Sequence, residues 1–187
     1  QGIQESKCIA VAYETVERTN KSLPLLTPMS EVAGRLAIQS GSVYLNKEHQ
    51  GRGILMGGIP GVEPSTVMVI GSGSVGINAA KMAAGLGARV YILDISMERL
   101  SYLQDVMPSN VITLVSNPYN IRSIAYKADF IVSGVLIPGA RAPKLITRDI
   151  LKNMKKGSVI VDVCIDQGGS VETSRPTSHL NPTFVEE

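Results

Sequence analysis

Cysteine is scarce in this chain: its 187 residues hold only Cys8 and Cys164, far apart. Two such thiols allow one accidental bridge but no disulfide framework. The reading that fits is a pair of reduced, buried thiols in a cytosolic, cytoplasmic protein. Long hydrophobic runs are also missing. Val67 to Ile70 and Phe130 to Val132 are among the longest, and they are far too short for a membrane span or a signal peptide. Neither sign of charge dominates. Lys and Arg number 18 against 16 Asp and Glu, a formal net charge of +2, so there is no electrostatic case for nucleic acid as a partner. Histidine occurs twice, at His49 and His179, both in polar or irregular stretches that read as non-catalytic. No Cys/His/Asp cluster has metal-ligand spacing, and no metal is expected.

What remains is a globular composition. Hydrophobic residues make up 44%, enough for a core without disulfides or metal. The length suits one large domain, or one domain with an extra segment packed on it. The chain begins at Gln1 close to an apolar run and stops after Phe184-Val185-Glu186-Glu187, so both ends read as cut from a longer protein.

Patterning predicts a strand at Cys8–Tyr13 and a connector at Leu23–Pro28. A helix follows from Thr27, its N-cap, with Pro28 at the first position, to about Tyr44. Val32, Leu36 and Val43, with Ala33 and Ala37, recur along it at helical spacing. Gly51–Pro64 reads as a loop. Strands and helices then alternate: strands at Val67–Ile70, Arg89–Leu93, Val111–Val115, Phe130–Val132 and Ser158–Val163; helices at Val75–Leu86, Met97–Val106, Asn120–Lys127 and from a Thr147 cap to about Met154. This predicts an α/β fold, a Rossmann-type doubly wound parallel sheet with helices on both faces, a preceding helix and flanking segments of a second domain. The expected strand order is 3-2-1-4-5, with a ligand crevice at the carboxyl ends near strands 1 and 4. The expected divisions are 1–26 as a connector, 27–166 as the nucleotide-binding domain, and 167–187 as a return segment.

Gly71-Ser72-Gly73-Ser74-Val75-Gly76 is a GxGxxG turn in the right context: a strand before it, a helix after it, and an acid at the end of the next strand. Gly71 permits the tight turn, Gly73 lets a pyrophosphate approach the backbone, and Gly76 lets the helix sit close to the strand. Ser74 and Val75 open the helix, whose N–H groups and dipole favour an anion. Asp94 is placed to accept hydrogen bonds from a ribose 2′-hydroxyl and to repel a 2′-phosphate, which favours NAD over NADP. Arg99 could lie over the adenine ribose or tolerate a phosphate. After strand 4, Ser133-Gly134-Val135-Leu136-Ile137-Pro138-Gly139 has small residues that leave room for a nicotinamide. Inside strand 5, Asp162 reads as a buried structural acid with hydrogen-bond partners. Asp166, just past the strand end and before Gly168 and Gly169, is either a loop cap or the better candidate for chemistry.

Several stretches then resemble the bacterial alanine dehydrogenase family. They are Met29-Ser30-Glu31-Val32-Ala33-Gly34-Arg35, Gly58-Ile59-Pro60-Gly61-Val62, Asn78-Ala79-Ala80-Lys81-Met82, Ser116-Asn117-Pro118-Tyr119-Asn120, Val135-Leu136-Ile137-Pro138-Gly139-Ala140, Ala142-Pro143-Lys144-Leu145, Ile165-Asp166-Gln167-Gly168-Gly169 and Glu172-Thr173-Ser174-Arg175-Pro176-Thr177. The resemblance implies a two-domain enzyme that oxidises L-alanine with NAD and water to pyruvate, ammonium and NADH, reversibly, usually as a homohexamer. It implies that Ser30, Asp94, Arg99, Ser116, Val135, Leu136, Val163, Ile165, Asp166 and Arg175 line the cofactor site, with Asp166 as the catalytic carboxylate. The family's substrate arginine, substrate lysine and catalytic histidine have no matching stretch here. The implied outcome is a chain that binds NAD without turning over alanine alone. Rival readings are a transhydrogenase or saccharopine-type nucleotide-binding domain, or a non-catalytic NAD-binding module.

Overall fold

The computed structural model describes residues 2–6, 8–137 and 140–186. Pro138 and Gly139 of the stretch after strand 4 lie outside the described residues. A short helix α1 (Gly2–Glu5) and a 3-10 turn (Tyr13–Thr15) precede helix α2 (Thr27–Val43). The regular part then runs β1 (Thr66–Ile70), α3 (Ser74–Gly85), β2 (Arg89–Asp94), α4 (Met97–Val106), β3 (Val111–Val115), α5 (Pro118–Ala125), β4 (Phe130–Ser133), α6 (Arg148–Lys152) and β5 (Val159–Asp162). All four strand pairings are parallel and the order is β3-β2-β1-β4-β5, the order the patterning predicts.

Period-two alternation divides the sheet's side chains between two cores. Val67, Val69, Val90, Ile92, Phe130 and Val132 pack on one face, against Ala37 and Ile38 of α2, the alanines Ala79, Ala80, Ala83 and Ala84 of α3, and Leu103 of α4. Met82 and Met107 fill the margin of that cluster. Met68, Ile70, Leu93 and Ile131 pack on the other face, against Ile121, Ile124 and Ala125 of α5 and Ile150 of α6. Helices therefore cover both faces, which is why the strands read as continuous apolar runs.

Small residues set how closely α2 approaches. A Cβ on Gly34 would collide with the carbonyl of Val75, and one on Gly41 with the Phe130 ring. Gly34→Ala is expected to cost about 1–3 kcal/mol, because the obstructing atom is backbone and cannot rotate away. Urea unfolding would measure the loss.

Three local expectations are corrected. Cys8–Tyr13 is not a strand; Ile9 and Val11 are exposed and pair with nothing in a sheet. Cys8 is exposed, so only Cys164 is a buried thiol. Thr27 does not cap α2: the cap position is Leu26, and the Thr27 hydroxyl donates back to the Leu23 carbonyl at 3.0 Å. The face of α2 carrying Val32, Leu36 and Val43 is exposed, while Gly34, Ala37, Ile38 and Gly41 are buried. Close backbone approach needs small side chains, so the bulkier apolar row is turned outward.

The amino-terminal rim of the sheet is closed by charge. Asp129, 1% exposed, accepts the Thr66 N–H at 2.8 Å, and its Oδ1 meets Arg52 Nε at 2.8 Å and Lys155 Nζ at 2.9 Å. Lys155 thus serves a buried acid rather than a helix end or bulk solvent.

Candidate nucleotide site at the carboxyl rim

The opposite rim gathers the chemically informative residues. β1 is followed by a crossover to β2 on one side, whereas β4 lies on its other side, so the carboxyl ends of β1 and β4 diverge into a crevice. Gly71 leaves β1 at φ +93°, a conformation that favours glycine, and its N–H donates to the Leu93 carbonyl at 2.7 Å. Gly73 sits at the N-cap of α3, and no atom lies within 4 Å of where a Cβ would be. That open space in front of the free N–H groups of α3 fits a pyrophosphate. Ser74 and Val75 form the first turn of α3, half-buried. A Cβ on Gly76 would run into the Gly71 carbonyl, so glycine is required for the turn to close. Ser30 shares the face of α2 with Gly34, one turn ahead of the crossing with Val75, and is half-buried.

Asp94 ends β2 and is only 7% exposed. Its Oδ2 accepts both the N–H and the hydroxyl of Ser72 at 2.6 Å each, and its Oδ1 accepts the Ser96 N–H at 2.8 Å. An ionised carboxylate offers about four acceptor positions, so three are used and roughly one remains for a ligand hydroxyl. Burial raises the pKa of this carboxyl. The Ser72 hydroxyl, the backbone N–H groups of Ser96 and Ser72 and the charge of Arg99 outweigh burial and hold it below the ordinary carboxylate value. The group is a pinned anion, and Ser72 is the partner that motif reading passes over. An open cleft of about 640 Å³ beside it is lined by Asp94, Ile95, Ser96, Glu98, Arg99 and Tyr102. Arg99 is exposed on α4.

The other strands deliver their carboxyl ends to the same rim. Ser116 follows β3 and its N–H donates to the Asp94 carbonyl at 2.8 Å. Val135 follows β4 and packs on the second core, while Leu136 is exposed. Val163 follows β5, its N–H donating to the Ser133 carbonyl at 2.9 Å. Ile165 and Asp166 form a 3-10 turn with Gln167, and Asp166 is exposed. Asp162 is the structural acid expected of it, accepting the Ser170 N–H at 2.9 Å and the Val171 N–H at 3.1 Å. Arg175 is exposed, its guanidinium 4.4 Å above the Phe184 ring. His49 is exposed beside Tyr44, and His179 is exposed in the tail. Among the described residues no helix is long and apolar enough to cross a membrane, and no three His, Cys, Asp or Glu side chains converge as a metal site.

A parallel 3-2-1-4-5 sheet with a glycine turn at its switch point and a pinned acid on the next strand defines a Rossmann-type nucleotide-binding domain. The family described as "Alanine dehydrogenase/PNT, C-terminal domain" matches residues 37–187. This chain belongs to that family of dehydrogenase oxidoreductases, which use a nicotinamide dinucleotide. It is 55% identical over 185 residues to the alanine dehydrogenase of Methanococcus maripaludis, covering 98% of this chain and 50% of the relative. It is 52% identical over 186 residues to that of Geobacillus stearothermophilus, covering 99% of this chain and 50% of the relative. The chain spans about half the length of the curated relatives it matches. A solved L-alanine dehydrogenase superposes with a TM-score of 0.91 at 54% identity, over 95% of this chain and 49% of that one. A transhydrogenase from Sinorhizobium meliloti superposes at 0.66 with 27% identity, over 80% of this chain and 43% of that one.

Proposed function

We propose that this chain is the NAD-binding portion of an alanine dehydrogenase, which oxidises L-alanine to pyruvate and ammonium in the cytoplasm, reversibly. The observation that carries the reading is the pinned carboxylate of Asp94 beside an open glycine turn, within a chain twice as similar to an L-alanine dehydrogenase as to a transhydrogenase. Residues 27–166 are the nucleotide-binding domain; 1–26 and 167–187 lead from and back to a substrate domain.

The residues would divide the work as follows. The N–H groups around Gly71, Gly73, Ser74, Val75 and Gly76 hold the pyrophosphate, with Ser30 and Arg175 near it. Asp94 accepts from the adenine-side ribose, with Arg99 and Ser116 flanking it. Val135, Leu136, Val163 and Ile165 wall the nicotinamide end and exclude water. The dinucleotide, when bound, supplies the hydride acceptor. Asp166 orders the water that attacks the oxidised substrate and stabilises the positive charge developing on its nitrogen. Substrate-anchoring cations and a catalytic histidine would come from outside these 187 residues, so this chain alone is expected to bind NAD and to form no NADH from alanine. The reading also makes the protein a homo-oligomer, a hexamer as in the family. The exposed row Met29, Val32, Leu36 and Val43 on α2 supports a subunit contact there.

Fluorescence titration tests the cofactor. NADH is expected to bind at least about tenfold more tightly than NADPH, because a 2′-phosphate would bring charge against the Asp94 carboxylate. Equal or tighter NADPH binding would refute the NAD assignment.

A further inference from the structure

The segment that carries Asp166 is a closed ring, and the group that closes it has no part in the function proposed above. The chain leaves β5 at Asp162 and returns to the same carboxylate eight residues later, where Oδ2 accepts the N–H groups of Ser170 and Val171 at 2.9 and 3.1 Å. The other oxygen, Oδ1, accepts the Cys164 thiol at 3.0 Å. Gly169, at φ +69°, makes the return possible, since a Cβ there would lie 2.8 Å from Asp162 Oδ2. Ser170 roots the ring in the core: it is fully buried and its hydroxyl donates to Ser133 Oγ at 2.6 Å, at the end of β4. From outside, Lys144 Nζ donates to the carbonyls of Gly168 at 2.6 Å and Val171 at 3.0 Å. The preceding segment pairs with the ring through Ala142 N–H to the Gln167 carbonyl at 3.0 Å and Leu145 N–H to the Ser170 carbonyl at 2.7 Å. Asp166 stands on the far side, on a 3-10 turn of three residues. Such a turn has little rigidity of its own.

We propose that Asp162 is a positioning residue: its carboxylate closes residues 163–171 into a ring that fixes where Asp166 stands, with Lys144 as the outer clamp. The consequence for turnover rests on the role given to Asp166 above; the closure of the ring does not. Asparagine could keep both N–H groups on its one oxygen and turn its amide nitrogen toward the Cys164 sulfur, whereas alanine removes every acceptor and opens the ring.

Two measurements decide this. The first needs no reaction. In a Cys8→Ser background Cys164 is the chain's only thiol. Burial, the hydrogen bond to Asp162 and the Asp162 charge all push its pKa up. Asp162→Ala is expected to speed labelling of Cys164 by the thiol reagent DTNB at least about tenfold at neutral pH, through both release of the thiol and a larger thiolate fraction. Unchanged labelling overturns the proposal.

The second measurement uses the full-length protein. Asp162→Ala is expected to lower kcat for alanine-dependent NADH formation by about 30-fold, with one NADH still bound per chain. Added to Asp166→Asn, it is expected to cost less than about twofold more, because a residue that acts through Asp166 has nothing left to act on. Losses that multiply would show independent scaffold damage and overturn the positioning role. If Asp162→Ala does not fold, Lys144→Met, a change on the exposed side of the ring, carries both measurements with smaller expected effects. No change in either would overturn the ring. A wild-type protein that makes no NADH from alanine would sink the proposed function, and Cys164 labelling would then decide ring closure on its own.

Discussion

Asp94→Ala is expected to weaken NADH binding by at least about 100-fold. The substitution removes the acceptor of three donors, the Ser72 N–H, the Ser72 hydroxyl and the Ser96 N–H. Ser72 is 2% exposed, so its N–H cannot turn to water for a partner. A buried donor left unpaired costs about 1–3 kcal/mol, which the free variant escapes by relaxing the glycine turn, so binding must re-form the turn as well as forgo a hydrogen bond to a ligand hydroxyl. A combined loss of about 2.7 kcal/mol is a factor of 100 in affinity. The variant damages the pocket twice, by removing a contact and by releasing the glycine turn. Asp94→Asn keeps the shape and one acceptor, and is expected to lose less affinity while narrowing the preference for NADH over NADPH. Titration of both cofactors against both variants separates the two effects.

The pH dependence follows from the sign of the Asp94 shift. Its folded pKa is depressed below its unfolded value, about 3.9 for an aspartate. The stability it contributes is therefore fully present above that unfolded value and is lost as pH falls through the folded one. Across neutral pH this group stays ionised.

Asp166→Asn is expected to lower kcat for alanine by about 100- to 1000-fold in the full-length protein while changing the Kd for NADH less than about threefold. General acid–base groups contribute on that order. The side chain is exposed on its turn, so the amide can replace the carboxylate without a packing cost. Steady-state kinetics beside equilibrium NADH binding would check the split. Turnover at the wild-type level would remove Asp166 from the chemistry.

The sheet was legible because its strands are buried on both faces and so appear as short, unbroken apolar runs between turn residues. The same rule misled at Cys8–Tyr13, an apolar run of strand length with no neighbour to pair with. On α2, apolar periodicity identified the helix but not its buried face. Contact with α3 and β4 is made by Gly34, Ala37 and Gly41, whose value lies in what they lack. Motif spacing pointed to Gly71–Gly76, Asp94 and Asp166, each of which lies at or just beyond the end of a strand. The bonds that hold them were invisible. Ser72 meets Asp94 across 22 positions, and Ser170 meets Ser133 across 37. Nothing local in a serine announces such a partner. Arg175, matched only through a family motif, stands on Phe184.

The strand order also has a kinetic side. β1 pairs with β2 and with β4, but Val67 and Phe130 are separated by 63 positions, whereas Thr66 and Arg89 are separated by 23. Closing the longer loop costs about 0.9 kcal/mol more in chain entropy. The crevice at the carboxyl rim lies between β1 and β4, so it depends on the costliest closure in the sheet. The glycine turn and Asp94 both lie on the β1-α3-β2 unit, so the crevice gains its second wall only when the two halves have met.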